Sequence, residues 1–188
     1  MDKIKTEINK ESLVEMKRIN SEIQLRKEYE IFLKSIKTRY HLTVSFSYGM
    51  HETKSESCLN MLMKFMNRAI LKKRYGKNNQ FIEGIAIKES TFGMENIHYH
   101  ILIADKENKL PSKDRMEQLI EKKIRLVNGR QSSLNKITKF HLQDYYAGDE
   151  NSSLEKYLTK LFEKPGKSIA EKIDCFYPLS LSGIDSTY

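Results

Sequence analysis

The chain has 188 residues, 39% of them hydrophobic and 31% charged, which suits one domain, or one domain with an appendage, around a real core. Lys and Arg number 33 against 25 Asp and Glu; the net charge of +8 favours an anionic partner, nucleic acid first, although ordinary solubility charge gives such a balance too. No apolar run approaches the roughly 20 residues that span a bilayer, and the N-terminus has no apolar signal-peptide core, so the expectation is a cytoplasmic protein without a membrane partner.

Residues 2–37 carry no Pro or Gly, and Leu13, Met16, Ile19, Ile23, Tyr29, Phe32, Leu33 and Ile36 fall close to helical spacing. One long helix or two shorter ones are predicted, forming an N-terminal appendage over 1–38 that packs or binds a partner; DNA contact through its basic residues is the alternative. The period then changes to two. His41 to Ser47 alternates, with Leu42, Val44 and Phe46 facing a core and Thr43, Ser45 and Ser47 facing away. Small hydroxyls such as Thr43 and Ser45 can donate to phosphates, or simply face solvent.

A helix is predicted over 55–75, capped by Ser55 or Ser57, with Leu59, Leu62, Met63, Met66, Ile70 and Leu71 as its apolar stripe. Lys72, Lys73 and Arg74 fall in its last turn, where the helix dipole favours cations, and are candidate DNA contacts. Cys58 and Cys175 lie far apart in no metal-type spacing and read as free thiols in a reducing compartment.

Gly84 to Glu89 and Ile97 to Ile103 are two further strands, joined by a hairpin loop over 90–96. On the second, His98, His100 and Leu102 point one way and Ile97, Tyr99, Ile101 and Ile103 the other. Two imidazoles on one strand face suit a single divalent ion, and a polar face with two solvated histidines has the same spacing. In an antiparallel pair Glu89 lies near the start of the histidine strand and completes a His, His, Glu set. That set suits Mg²⁺ or Mn²⁺ at a phosphodiester, or Zn²⁺.

Further along, a helix over about 113–127, a polar linker over 130–136 and a strand over 139–146 are predicted. His141 on that strand is a further site group or a plain surface histidine. A turn at Gly148 to Asn151 leads to a helix that Ser152 and Glu155 begin as a capping box and Pro165-Gly166 stops. Its apolar face is Leu154, Leu158, Leu161 and Phe162, expected to lock onto the sheet, and Tyr157 and Lys160 share another face. Residues 166–188 read as a tail with a short helix pattern.

The hydroxyl-bearing strand Leu42 to Ser47, the strand ending in Glu89, the His98-Tyr99-His100 strand and the late Tyr157-x-x-Lys160 helix resemble, in that order, the motifs of the HUH endonucleases. Within that superfamily they resemble the rolling-circle replication initiators of small plasmids, phages and single-stranded DNA viruses. The resemblance covers residues 41–164, about two thirds of the chain. It implies an α+β fold, a four- or five-stranded antiparallel sheet with packed helices, as an endonuclease domain over 39–165. It also implies a Mg²⁺- or Mn²⁺-dependent nickase that cuts one strand of single-stranded or hairpin origin DNA and stays joined to the 5′ end through tyrosine. His98 and His100 match the histidine pair, Glu89 the third ligand, Tyr157 the nucleophile and Lys160 the lysine that follows it. Tyr99 is bulkier than the usual aliphatic middle residue, and no Gly-x-x-x-x-Gly-Lys-Ser/Thr loop is present, so a host helicase is expected as partner. A transposase or conjugative relaxase with the same chemistry, a non-catalytic DNA-binding regulator on this scaffold, and a Zn²⁺ hydrolase without a tyrosine nucleophile are the competing functions. Tyr145 and Tyr146 are rival nucleophiles.

Overall fold

A computed structural model describes residues 2–77, 80–90, 96–106, 108–132, 134–145, 154–163, 169–173 and 175–179. The chain divides into two compact units, residues 36–146 with 174–188, and residues 1–35 with 147–173. These boundaries differ from the expected 1–38, 39–165 and 166–188. The segment that carries Tyr157 groups with the N-terminal helix, and part of the expected tail belongs to the sheet.

The sheet unit holds β1 (Thr38–Phe46), β2 (Gly84–Ser90), β3 (Ile97–Ala104), β4 (Ile137–Asp144) and the three-residue β5 (Phe176–Pro178). They form one five-stranded sheet in the order β4-β1-β3-β2-β5, and every pairing is antiparallel. The helices numbered α2 (Glu52–Leu71) and α4 (Lys113–Asn128) follow β1 and β3, giving a β-α-β-β-α-β order; a short turn of helix, α3 (Lys73–Lys77), follows α2. The expected α+β class, an antiparallel sheet with packed helices, is what the structure has.

Strand alternation builds the core. Tyr40, Leu42, Val44 and Phe46 of β1 and Ile97, Tyr99, Ile101 and Ile103 of β3 are buried on one face. Leu59, Leu62, Met63 and Met66 of α2 and Met116, Ile120, Ile124 and Val127 of α4 join them at helical spacing. Full burial of each such side chain contributes about 1.5–3 kcal/mol. Two side-chain amides, buried Asn67 and half-buried Asn128, fix where the strands enter. Asn67 Oδ1 accepts from Ile82 N at 2.6 Å just before β2. Asn128 bonds both the N–H and the carbonyl of Ile137, each at 2.9 Å, at the first residue of β4. Gly84, at φ +149°, could carry no side chain, because a Cβ would stand 2.0 Å from the Leu102 carbonyl oxygen.

Several boundaries differ from expectation. Helix α2 begins three residues earlier than predicted and is capped by His51, whose Nδ1 accepts from Thr53 N at 3.4 Å. Ser55 is buried inside the helix, its hydroxyl donating to Glu52 O at 2.7 Å and lying 3.3 Å from Tyr99 Oη. The helix ends at Leu71 because Lys72 turns to φ +52°, so Lys72, Lys73 and Arg74 are not its last turn. Cys58 and Cys175 are free, buried thiols.

In the helical unit the first helix, α1 (Asp2–Ser35), is unbroken. The Tyr157 segment is a single α turn, α5 (Leu154–Leu158), that tightens into a 3₁₀ turn over Thr159–Glu163; a short α6 (Ile169–Ile173) completes the unit. The Tyr157 segment packs on α1. Phe162 packs against Tyr29 with ring centroids 5.1 Å apart, and Arg26 Nη2 donates to Lys156 O at 3.3 Å. Lys172, fully buried, donates to Phe162 O at 2.9 Å and lies 3.2 Å from Glu22 Oε1. The loop over 91–95, the turn at 148–151, Ser152 of the capping box, and Pro165-Gly166 lie outside the described residues. Among the described residues no helix is long and apolar enough to cross a membrane.

Candidate metal centre on the second sheet face

The second face of the sheet is built by register. Residues opposed across two strands share a face. Thr43 opposes His100 and Ser45 opposes His98 across β1 and β3; Glu89 of β2 opposes His98 from the other side. On β4, Gln143, His141 and Lys139 oppose His41, Thr43 and Ser45. Ile85, Ile87 and Leu102 make the other end of this face apolar and buried. A polar patch therefore sits at one end, across four strands.

The sequence-predicted residues of this patch come together. His100 Nε2 lies 3.1 Å from Glu89 Oε2, and His98 Nδ1 lies 2.9 Å from Ser45 Oγ. With Nδ1 at Ser45, Nε2 is the His98 ring nitrogen that a ligand would meet. Thr43 and Ser45, expected as DNA contacts, lie beside the histidines: Thr43 Oγ1 is 3.3 Å from His100 Nδ1 and 3.4 Å from His41 Nε2.

His41 and Gln143 were not picked out by the sequence. His41 Nε2 lies 3.1 Å from His100 Nδ1, with the rings stacked at a centroid distance of 5.3 Å, and Gln143 Nε2 lies 2.7 Å from His41 Nδ1. His41 is only 5% exposed. Burial, and then repulsion from His100 and His141, hold its pKa down at about 4. The period-two pattern already placed His41 with Thr43 and Ser45; Gln143 needed the β1–β4 register. His141 is exposed on the same face, and Tyr145, just past the end of its strand, donates its N–H to Arg39 O at 2.8 Å.

Two imidazoles and a carboxylate are a suitable donor set for Mg²⁺, Mn²⁺ or Zn²⁺. An octahedral ion with bonds of about 2.1 Å sets neighbouring donors about 3.0 Å apart, and His100 Nε2 and Glu89 Oε2 stand at 3.1 Å. Among the described residues no three His, Cys, Asp or Glu side chains are gathered tightly enough to hold an ion as they stand. Ligation would replace the His100–Glu89 bond and draw in His98 from the facing position.

Lys72, Lys73 and Arg74 are not part of this patch. They are exposed, and Arg74 lines a cleft with Glu83, Ala104 and Asp105. Ala104 is six residues along β3 from His98, about 20 Å at about 3.3 Å per residue. Tyr157 and Lys160 belong to the helical unit, where both side chains are exposed, Tyr157 by 46%. Tyr146 lies outside the described residues. Comparison with protein-family models, with curated proteins and with solved structures finds no match to this chain.

Proposed function

We propose that this protein nicks and rejoins one strand of DNA as a rolling-circle replication initiator, with a divalent metal at His98, His100 and Glu89 and Tyr157 as nucleophile. The observation that supports this reading most directly is the patch itself. A histidine pair and a carboxylate from adjacent strands face one another on a sheet whose other face is sealed by core.

When bound, Mg²⁺ or Mn²⁺ would polarise the scissile phosphate and offset charge on its oxygens. The chain's own groups do the rest. The Tyr157 oxygen attacks phosphorus, the P–O3′ bond breaks, and the leaving 3′-oxygen takes a proton. The product is a 5′-phosphotyrosine, and attack by a 3′-hydroxyl reverses it without ATP. A phenol with a pKa near 10 is a poor nucleophile at neutral pH; the ammonium of Lys160, three residues on, favours the phenolate. The partner is single-stranded or hairpin origin DNA, with unwinding supplied by a host helicase, in the cytoplasm. The net charge of +8 supports an anionic partner. A transposase or relaxase would use the same residues on a different DNA site.

The test is a gel. The full chain is incubated with an origin-type hairpin oligonucleotide and Mn²⁺, and a denaturant-stable protein–DNA adduct is sought. Tyr157→Phe should abolish it, and peptide mapping should find the nucleotide on Tyr157. An adduct on Tyr145 or Tyr146 would overturn the nucleophile, and DNA binding without any adduct would favour a non-catalytic regulator.

A further inference from the structure

We infer that His41 and Gln143 set the tautomer of His100, and so decide whether its Nε2 is open to a metal ion. The inference rests on the reading of His100 as a ligand and adds to it a positioning pair on β1 and β4.

A neutral imidazole has one donor nitrogen and one acceptor nitrogen. The Gln143 amide nitrogen, 2.7 Å from His41 Nδ1, can only donate. His41 Nδ1 is then the acceptor and its proton sits on Nε2. That proton points to His100 Nδ1 at 3.1 Å, so His100 in turn carries its proton on Nε2. Nε2–H donates to Glu89 Oε2 at 3.1 Å, and an ionised carboxylate only accepts. Every bond in the chain Gln143, His41, His100, Glu89 is made, and all run the same way. In this state His100 Nε2 has no lone pair to give.

The same atoms allow one other complete arrangement. With the Gln143 amide turned over, its oxygen accepts a proton from His41 Nδ1. His41 Nε2 accepts from His100 Nδ1–H, and His100 Nε2 becomes a lone pair facing the Glu89 carboxylate. Two acceptors 3.1 Å apart repel, and a cation held by both removes the repulsion. Metal binding and the reversed chain therefore favour each other. A ligating histidine ordinarily donates its second ring N–H to such a partner, and loss of the partner costs about 10–100-fold in metal affinity. Thr43 Oγ1, 3.3 Å from His100 Nδ1, is a competing acceptor.

The experiment uses the full chain. Ring-nitrogen NMR of the metal-free protein reads the tautomers of His41 and His100, and electron spin resonance of free Mn²⁺ reads affinity. Wild type should show both rings protonated on Nε2. Gln143→Glu offers only acceptors, so both rings should move to Nδ1–H and Mn²⁺ should bind more tightly. His41→Phe should weaken Mn²⁺ binding about 10–100-fold; His41→Asn is the smaller change if the ring misfits. Tighter binding in Gln143→Glu with unmoved tautomers would mean added charge alone, and would overturn the inference. So would unchanged Mn²⁺ affinity in both His41 variants, which would leave Thr43 as the only partner that matters. A wild-type chain that binds no Mn²⁺ would instead overturn the metal reading itself.

Discussion

The two faces of the sheet use the same strands for opposite purposes. On one face Leu42, Val44, Tyr99 and Ile101 are at most 1% exposed and meet α2 and α4. On the other, His98, His100, Thr43, Ser45 and Glu89 are half-buried and spend their polar atoms on one another. The first face supplies stability through area removed from water, and almost any well-packed apolar set would serve. The second, on the proposed reading, would supply chemistry through specific atoms, and depends on the first to hold its strands in register. A change on the first face should therefore be felt in folding, and a change on the second in metal binding and cleavage.

The largest expected effect follows from the core face. Ile101→Ala removes a fully buried side chain from the central strand and should cost about 2–5 kcal/mol of unfolding free energy in urea. A loss below about 1 kcal/mol would mean that the core is not organised around β3.

Asp105 sharpens the comparison, because it is polar and buried yet structural. At the end of β3 its carboxylate accepts from Arg39 Nη1 at 2.6 Å, Lys109 N at 2.7 Å and Leu110 N at 3.1 Å. Burial pushes its pKa up, but the Arg39 and backbone bonds outweigh that and leave it below the usual carboxylate value. A depressed carboxylate stabilises the fold above its unfolded pKa, and that contribution is lost as pH falls through the lower folded value. Asp105→Asn should cost about 1–3 kcal/mol at neutral pH, and the gap to wild type should narrow on acidification below about pH 4. A gap independent of pH would show that the carboxylate's charge is irrelevant.

His98→Ala comes next in stability and first in function. It removes a half-buried ring, so unfolding should shift by less than about 1 kcal/mol, while Mn²⁺ binding and any nicking should disappear. A destabilisation as large as that of Ile101→Ala would erase the distinction between the faces.

The sequence made one face easy to read and the other only half legible. Apolar residues at period two and period 3.6 are local signals, so β1, β2, β3 and α4 emerged within a few residues of their ends. His98 and His100 were visible for the same reason, being two apart on one strand. Gln143 becomes part of the site only through the β1–β4 pairing, a contact 102 residues apart in the chain. His41 shares the period of Thr43 and Ser45, but a single histidine ahead of a run of hydroxyls carries no local signal of a site. The strand Phe176–Pro178 was missed because three residues carry no measurable period. The basic run at Lys72 to Arg74 was placed in a helix's last turn because charge and propensity are local, whereas the turn at Lys72 is set by its left-handed backbone. The helix expected over the Tyr157 segment is a single α turn that tightens into a 3₁₀ turn, whose Phe162 meets Tyr29.

Ser45→Ala should have the smallest effect on stability and is for that reason the sharpest test of the second face. The hydroxyl lies 2.9 Å from His98 Nδ1, directly across the β1–β3 pair, and is the bond through which β1 orients that ring. Removing one oxygen from a half-buried strand position should change unfolding by no more than about 0.5–1 kcal/mol. With the bond gone, the imidazole is free to turn about its side-chain torsions, and its Nε2 meets a metal less often in the right direction. Mn²⁺ affinity should fall about tenfold, toward the lower end of what loss of such an orienting partner costs. Ser45→Thr keeps the hydroxyl on a side chain that strands favour and should restore most of that affinity. If Ser45→Ala binds Mn²⁺ as well as wild type while salt-dependent DNA binding drops, the hydroxyl contacts phosphate and not the histidine. The second face would then be a surface for the strand's backbone first and a metal centre only at His98, His100 and Glu89.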